Sequence, residues 1–315
     1  MPKQYFLEAG NFQDLSFAEL VSVFRAYSLD DSCIQRFSDD IFIIQNNHIS
    51  EELIRNIFNR LGGFVRLGYV IDDIDTFLNE YIQKDSKVVF GLSLLGQVNI
   101  SDKKFLKKLG FEIKKGLKEY GKPSRFVNPL SRSFALSAAQ ILGNDILHKG
   151  FELCIVKNKD REIYGCTLDI QDVEGFVSRD NDKPHTDLEM GTLPPKLARI
   201  MVNLTGQKEG ILWDPFCGSG TVPMEACMLG FDILASDIDE KATFMTDANI
   251  KWLSEKGCIT DTKYEIFNLD VTNPDKRIIG KLRKTDISCV VCEPYMGPAQ
   301  KRLVYPNRAD VYLSR

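Results

Sequence analysis

Residues 211–229 run Ile-Leu-Trp-Asp-Pro-Phe-Cys-Gly-Ser-Gly-Thr-Val-Pro-Met-Glu-Ala-Cys-Met-Leu. A short apolar run ends in an acid, turns through two glycines and opens a helix over Val222 to Leu229. That order commits the chain to a strand–turn–helix unit whose helix directs its free N–H groups at whatever sits on the turn. The pattern then continues. Ile233-Leu234-Ala235 reads as a strand, Glu240 to Lys256 as a helix, Tyr264-Glu265-Ile266-Phe267 as a strand and Ile287 to Cys292 as a buried strand. Pro195 to Leu204 precedes them as a helix with proline in its first turn, where a missing N–H costs nothing. Strands alternating with helices make a parallel sheet covered on both faces, an α/β fold.

The chain before residue 178 is organised differently. Tyr5 to Ala9 reads as a strand and Ser16 to Tyr27 as a helix, with Ser16 as N-cap and Glu19 at the capping-box position. Ile41 to Ile44 is a buried strand, Ser50 opens a helix to Leu61, and Val65 to Ile71 is a further strand, together a small α+β unit over residues 1–72. Residues 73–177 make a second unit. It has a helix from Asp73 to Ile82, a strand from Val88 to Leu95 ended by Gly96, and a basic helix from Ser101 to Tyr120 that Gly110 divides. A helix from Phe134 to Leu147 follows, then a hairpin of Phe151–Val156 and Ile163–Ile170. Residues 178–187 are wholly polar and carry a proline, and are expected to be a linker to a domain over 188–315.

Composition narrows the function classes. With 43% hydrophobic and 27% charged residues over 315 positions, the whole chain is neither disordered nor collagenous nor a coiled coil. No apolar run approaches the ~20 residues that span a bilayer, and Met1 to Glu8 lacks the apolar core of a secretory signal. Eight scattered cysteines in a chain of this size read as reduced thiols of a cytoplasmic protein. A net charge of −4 argues against binding nucleic acid by bulk charge but leaves room for a local basic patch. Lys103, Lys104, Lys107, Lys108, Lys114, Lys115 and Lys118 share one half of a helical wheel, opposite Phe105, Leu106, Leu109, Ile113, Leu117 and Tyr120, and Lys122 and Arg125 continue the charge. Such a face is either a solvated helix surface or a footprint for a phosphate backbone, and in an acidic chain its concentration favours RNA.

Four segments fall at successive strand ends, where open α/β sheets bind ligands. In the first, Asp214, Phe216, Cys217, Gly218, Gly220 and Thr221 form the turn. Pro223 replaces the third glycine of a dinucleotide fingerprint, and the Gly-Lys-Ser/Thr end of a phosphate loop is absent. Asp214 suits a ligand bearing an ammonium and would repel a pyrophosphate. In the second, Asp237 is placed to accept from a ribose diol, and Asp239 is the N-cap of the next helix. In the third, Asp270 is placed to accept from an adenine amine. In the fourth, Glu293 and the carbonyl of Pro294 can hold a planar amine between two acceptors, with Tyr295 stacking on its base. Cys289 and Cys292 have Cys-x-x-Cys spacing, but in a strand they face opposite ways, and with three histidines in the chain no metal is expected.

Taken together, Asp214 to Thr221 followed by Met224-Glu225-Ala226 resembles the S-adenosylmethionine loop of the THUMP-containing RNA methyltransferases, and specifically the tRNA guanosine-10 N2-methyltransferase family. Gly191 to Ala198 resembles the segment entering that family's catalytic domain. Phe90-Gly91-Leu92-Ser93 and Ile113 to Val127 resemble THUMP segments. The resemblance implies a ferredoxin-like domain over 1–72, a THUMP-like RNA-binding domain over 73–177 with Lys114, Lys115, Lys118, Lys122 and Arg125 on RNA, and a Rossmann-like class I methyltransferase domain over 188–315. It implies S-adenosyl-L-methionine as cofactor, tRNA as partner and guanosine N2 as target. Asp214, Phe216, Gly218 and Gly220 would form its cofactor loop, with Asp237 on the ribose and Asp270 on the adenine.

Glu293-Pro294-Tyr295-Met296-Gly297 stands where the family has Asp-Pro-Pro-Tyr-Gly, so the acid is one methylene longer and the aromatic comes one place earlier. Twenty-two residues follow Glu293, and the four strand-like segments compare with seven in the resembled fold. The domain is therefore expected to be truncated after its fourth strand, or completed by a partner protein. The alternatives are a DNA amino-methyltransferase sharing the same chemistry, and an RNA- and cofactor-binding protein without catalysis.

Overall fold

The structure is a computed structural model and describes residues 4–45, 48–83, 86–130, 132–186, 192–259 and 261–294. It divides into two units, Met1–Val173 and Glu174–Arg315.

In the first unit the chain runs β1 (Tyr5–Ala9), α1 (Gln13–Ala26), β2 (Ile34–Arg36), β3 (Ile41–Ile44), α2 (Glu51–Arg60) and β4 (Phe64–Ile71). It continues as α3 (Ile74–Ile82), β5 (Val88–Gly96), α4 (Asp102–Glu119), β6 (Ser124–Val127), α5 (Ala138–Gly143), α6 (Ile146–Lys149), β7 (Gly150–Lys157) and β8 (Glu162–Ile170). The first four strands pair in the order β2-β3-β1-β4, the β-α-β-β-α-β ferredoxin-like arrangement. The sheet does not stop there. β4 pairs antiparallel with β8, from Arg66 opposite Ile170 to Ile71 opposite Tyr164, and the order continues β8-β7-β5-β6. The two small units expected from the sequence thus share one eight-stranded sheet. Strict alternation, with both faces covered, explains why β3 is apolar throughout and β1 at every position but Glu8. Tyr5, Leu7, Phe42 and Ile44 pack under α1 and α2, while Phe6, Ile41 and Ile43 face Leu95, Cys154 and Val156 on the other side.

Four local expectations change. Ser16 is not an N-cap: α1 starts at Gln13, and the Ser16 hydroxyl donates to the Gly63 carbonyl at 3.0 Å. Glu19 takes the N–H groups of Gly62 and Gly63 at 2.8 and 2.9 Å, so both side chains turn inward to hold the turn before β4. Gly110 does not divide α4. A Cβ there would lie 2.1 Å from the Phe126 ring, so glycine lets β6 approach an unbroken helix. The helix expected over 134–147 is two short ones. Leu94 N–H donates to Phe134 O and Leu136 N–H to Ser93 Oγ, tying that stretch to β5, and Asp145 at φ +53° separates α5 from α6. The packed stripe of α4 is Leu106, Gly110, Ile113 and Leu117, whereas Phe105 and Tyr120, expected on the apolar half, are 42% and 66% exposed.

The second unit begins within α7 (Val173–Asn181) and contains α8 (Pro195–Leu204), β9 (Ile211–Asp214), α9 (Thr221–Met228), β10 (Asp232–Asp237), α10 (Glu240–Glu255), β11 (Tyr264–Asn268), α11 (Lys276–Leu282) and β12 (Ile287–Val290). Its strands are all parallel, as the alternation predicts, and lie in the order β11-β10-β9-β12. Residues 178–181, expected in the linker, are the last turn of α7, because Phe176 and Arg179 on that helix are buried in this unit. The segment expected to be a buried strand over 287–292 forms a strand only to Val290 and is half exposed. It pairs with β9 alone among the described residues.

The first unit carries a buried polar network. Arg66 on β4 is ion-paired with Glu8 on β1 at 2.9 Å and with Glu152 on β7, and its second amine donates to the Leu136 carbonyl at 3.0 Å. Glu152 also accepts from Ser93 on β5 and Thr167 on β8. Five strands of one sheet therefore converge on one cation and two carboxylates. Burial pushes the Glu8 carboxyl above its usual range, the Arg66 charge opposing it. Removing the cation would leave Glu152 buried without its counter-charge. Arg66→Met should therefore destabilise the first unit by about 3–5 kcal/mol, read as a lower midpoint in equilibrium urea unfolding. A loss below about 1 kcal/mol would show that the network is dispensable.

Candidate active site

The ends of β9, β10 and β12 bring Asp214, Asp237 and Glu293 to one edge of the sheet in the second unit, since Ala235 pairs with Asp214 and Val290 with Trp213. Between β9 and α9 the chain makes the turn the sequence requires. Phe216 N–H donates to Asp214 Oδ1 at 3.0 Å, Cys217 N–H to Ser236 O at 3.0 Å, and Gly218 N–H to Asp237 Oδ2 at 3.0 Å. Gly218 and Gly220 both take positive φ, +52° and +84°, where a side chain is strained. They differ in what surrounds them. A Cβ on Gly220 would meet Thr246 at 2.9 Å, whereas one on Gly218 would meet open space. Gly220 is a packing requirement; Gly218 leaves room for a ligand against the backbone.

The other expected residues are placed as follows. Asp237 spends one oxygen on Gly218 and the other on Asp239 N–H at 3.0 Å, so it stiffens the turn as well as facing the strand end. Asp239 caps α10, accepting from Lys241 N–H at 2.8 Å. Asp270 accepts from the N–H and hydroxyl of Thr272 on one oxygen, which holds its carboxyl below the usual range. Cys217 is buried in the core beneath the turn, and burial pushes its thiol up to about 12, so any part it takes in binding is through its backbone. Thr221 is the first residue of α9 and is buried. Glu293 and Pro294 are exposed at the end of β12. Tyr295 lies outside the described residues.

Two supports were not foreseen. Thr246 and Asn249 on α10, both without exposed surface, hold the turn from the far side: Thr246 Oγ1 donates to Gly218 O at 3.0 Å and Asn249 Nδ2 to Ser219 O at 2.8 Å. Glu225 on α9 is clamped between Arg179 of α7 at 2.5 Å and Arg199 of α8 at 2.7 Å. The signal available in the sequence was polar residues at core positions of helices, which otherwise reads as noise.

Asp214 is 1% exposed and accepts a single hydrogen bond among the described residues. Burial raises its carboxyl to about 7, and the charges acting on it, Asp237 and Glu293, are both negative and push the same way. A desolvated acid among like charges at the edge of an open turn is an arrangement that a cationic ligand completes.

In the first unit, Lys114, Lys115, Lys118 and Arg125 are exposed and Lys122 is half-buried. Lys115 reaches Glu119 at 3.8 Å and Lys108 reaches Glu112 at 3.6 Å, exposed pairs that trim the positive field only slightly. Phe105 and Phe111 stand exposed on the same helix, and Tyr120 is exposed at its C-cap. Arg125 also lines a groove of about 660 Å³ with Lys87, His148 and Lys149.

Residues 185–288 match the family described as the RMKL-like methyltransferase domain. A tRNA (guanine(10)-N2)-dimethyltransferase of Methanothermobacter thermautotrophicus is 34% identical over 108 residues, covering 34% of this chain and 28% of that protein. One of Methanocaldococcus jannaschii is 32% identical over 133 residues, covering 41% of this chain and 36% of that protein. The matched stretch thus spans about a third of the length of these curated relatives. These matches bear out the resemblance drawn from the turn. Among solved structures, the M. jannaschii tRNA m1G37 methyltransferase aligns over 86% of this chain and 74% of its own with 18% identity, but at a TM-score of 0.22 the likeness carries no argument. No helix among the described residues is long and apolar enough to cross a membrane.

The state of Asp214 makes a pH prediction. In the folded chain it keeps its proton up to about pH 7. Unfolded, it releases the proton near pH 4. The native state therefore binds more protons between these values, and stability falls as pH rises from about 4 to about 7, at ~1.4 kcal/mol per unit for one group. Asp214→Asn keeps the acceptor for Phe216 and removes the titration. The variant's stability relative to the wild type should rise over that window and level off above it, as measured by thermal melts from pH 4 to 8. A gap constant with pH would mean that Asp214 is ionised throughout.

Proposed function

We propose that the chain is an S-adenosylmethionine-dependent methyltransferase acting on an exocyclic base amine of tRNA, with guanosine N2 as the target. The observation that carries this reading is the meeting of Asp214, Asp237 and Glu293 around a glycine turn with open space over Gly218. The residues present fit the cofactor. Among the described residues the buried acid has no counter-charge, which a ligand with ammonium and sulfonium groups would bring, and Asp237 keeps lone pairs beyond the two bonds it already accepts. When bound, S-adenosylmethionine supplies a methyl group made electrophilic by its sulfonium.

The chain's own part is mostly positioning. The turn and Asp214 hold the amino-acid end, Asp237 accepts from the ribose diol, and the free oxygen of Asp270 accepts from the adenine amine. Glu293 and the Pro294 carbonyl accept from the N–H groups of the target amine, so that its lone pair points along the transfer direction. Tyr295 stacks on the base. The first unit, ferredoxin-like over 1–72 and THUMP-like from residue 73 to its end at Val173, contributes the RNA contact through Lys114, Lys115, Lys118, Lys122 and Arg125. The eight free thiols accord with a cytoplasmic enzyme.

Methyl transfer to unmodified tRNA, followed by nucleoside analysis, tests the whole reading: N2-methylguanosine is the expected product, and no methylated nucleoside would leave a binding protein. Within that assay, Glu293→Gln replaces an acceptor oxygen by a donor facing the substrate's own N–H donors. The rate should fall by about 100-fold, roughly 3 kcal/mol, with cofactor affinity unchanged. A wild-type rate would remove Glu293 from the amine site.

The RNA face makes its own prediction. Replacing Lys114, Lys115 and Lys118 together by Glu should abolish tRNA binding in a filter or gel assay and leave cofactor affinity intact. Wild-type binding should weaken steeply with salt, as counterion release requires. Normal tRNA binding by the triple variant would return this face to solvent.

A further inference from the structure

Lys183, just beyond α7, is 4% exposed. Its ammonium donates to Thr221 Oγ1 at 3.1 Å, on the first residue of α9 and next to Gly220 of the glycine turn. The backbone after it is pinned to the same place. His185 N–H donates to Asn249 Oδ1 at 3.0 Å, and Asn249 Nδ2 donates both to His185 O at 2.9 Å and to Ser219 O in the turn at 2.8 Å. Lys183 is thus fixed against the turn through its side chain and through its neighbour's backbone.

The position is unfavourable for a cation in three ways. Its charge is removed from water. It sits at the positive end of the α9 dipole, where an anion belongs. It has no carboxylate within ion-pair distance among the described residues: the acids acting on it are Asp180 and Glu225, and both oxygens of Glu225 are held by Arg179 and Arg199. Burial draws the Lys183 ammonium below the usual lysine range. A hydrogen bond to a neutral hydroxyl offsets little of this. An anion placed against Lys183 and the first turn of α9 would relieve all three costs together. At the other end of the same turn stands the buried acid Asp214. An acid at the entrance and a cation at the exit match the two charges of an amino-acid group.

We infer that Lys183 binds the α-carboxylate of the cofactor's amino-acid end, opposite Asp214 on its ammonium, and so selects cofactors that carry that carboxylate. The inference rests on the cofactor reading proposed above. It is tested by calorimetric titration of the full chain with S-adenosylmethionine and with decarboxylated S-adenosylmethionine, which lacks that carboxylate and keeps the ammonium.

The wild type should bind the intact compound about 10- to 100-fold more tightly, the range of one charge-assisted hydrogen bond. Lys183→Met should lose the preference by weakening the intact compound alone, and its unchanged affinity for the decarboxylated one shows that the site is still formed. Lys183→Arg, which retains the charge, should keep part of the preference and serves where the Met variant does not fold. Equal wild-type affinities overturn the inference whatever the variants do, as does a Met variant with the preference intact or a folded Arg variant with none. A wild type that binds neither compound overturns the cofactor reading itself, a result distinct from equal binding of both.

Discussion

Glu225 is a carboxylate with no exposed surface, set between two buried guanidinium groups. Much of the second unit's site depends on that pairing. It joins α7 and α8 to α9, and α9 is the helix whose first turn closes the glycine loop. Breaking such a buried pair by losing one partner is far costlier than never having formed it. The arrangement therefore works as a fastening with one geometry. Arg179 and Arg199 also lie over the ring of Phe176, 4.5 and 4.8 Å from its centre, so the positive groups are packed as well as paired. The charge distribution follows. Cations gather around α9, and carboxylates gather at the strand ends, with the turn between them.

The first unit is fastened by the mirror-image device, one arginine between two glutamates. Its position ties together the two parts of the shared eight-stranded sheet. Arg66 sits on β4, the last strand of the ferredoxin-like half, and reaches Glu8 on one side and Glu152 on the other. Ser93 and Thr167 saturate Glu152 from the neighbouring strands. A polar group in the middle of a sheet specifies register, because a slip of one residue would turn it to the other face.

The order of elements in the second unit, α11 apart, was legible because it follows from local rules. Glycine at a turn, proline in a first helical turn and apolar runs of strand length act within a few residues of themselves, and the strand pairing they imply is what the structure has. Asp239 as a cap was readable for the same reason. Ser16 was not. Its cap signature is real in sequence, but the hydroxyl is worth more to a turn 47 residues away, and no local rule carries that distance. Gly110 was misread likewise, since a glycine in a helix signals a break unless another strand needs the space. Thr246, Asn249 and Lys183 escaped because polar residues on a helix or in a polar stretch look like solvent-facing ones until the fold buries them. The strand ends named the acids; only the packing showed which of them is desolvated.

Because Gly110 lets β6 in without interrupting α4, that helix is a single rod of 18 residues, about 27 Å long at 1.5 Å per residue. For the RNA contact proposed above, its lysines then act as the teeth of a comb. Once one meets a phosphate, the rest are delivered at fixed spacing and at an effective concentration far above that of free ligand. Affinity in such a device resides in alignment more than in any one tooth. The element that sets it is Gly110, whose missing side chain leaves the room that the Phe126 ring of β6 takes.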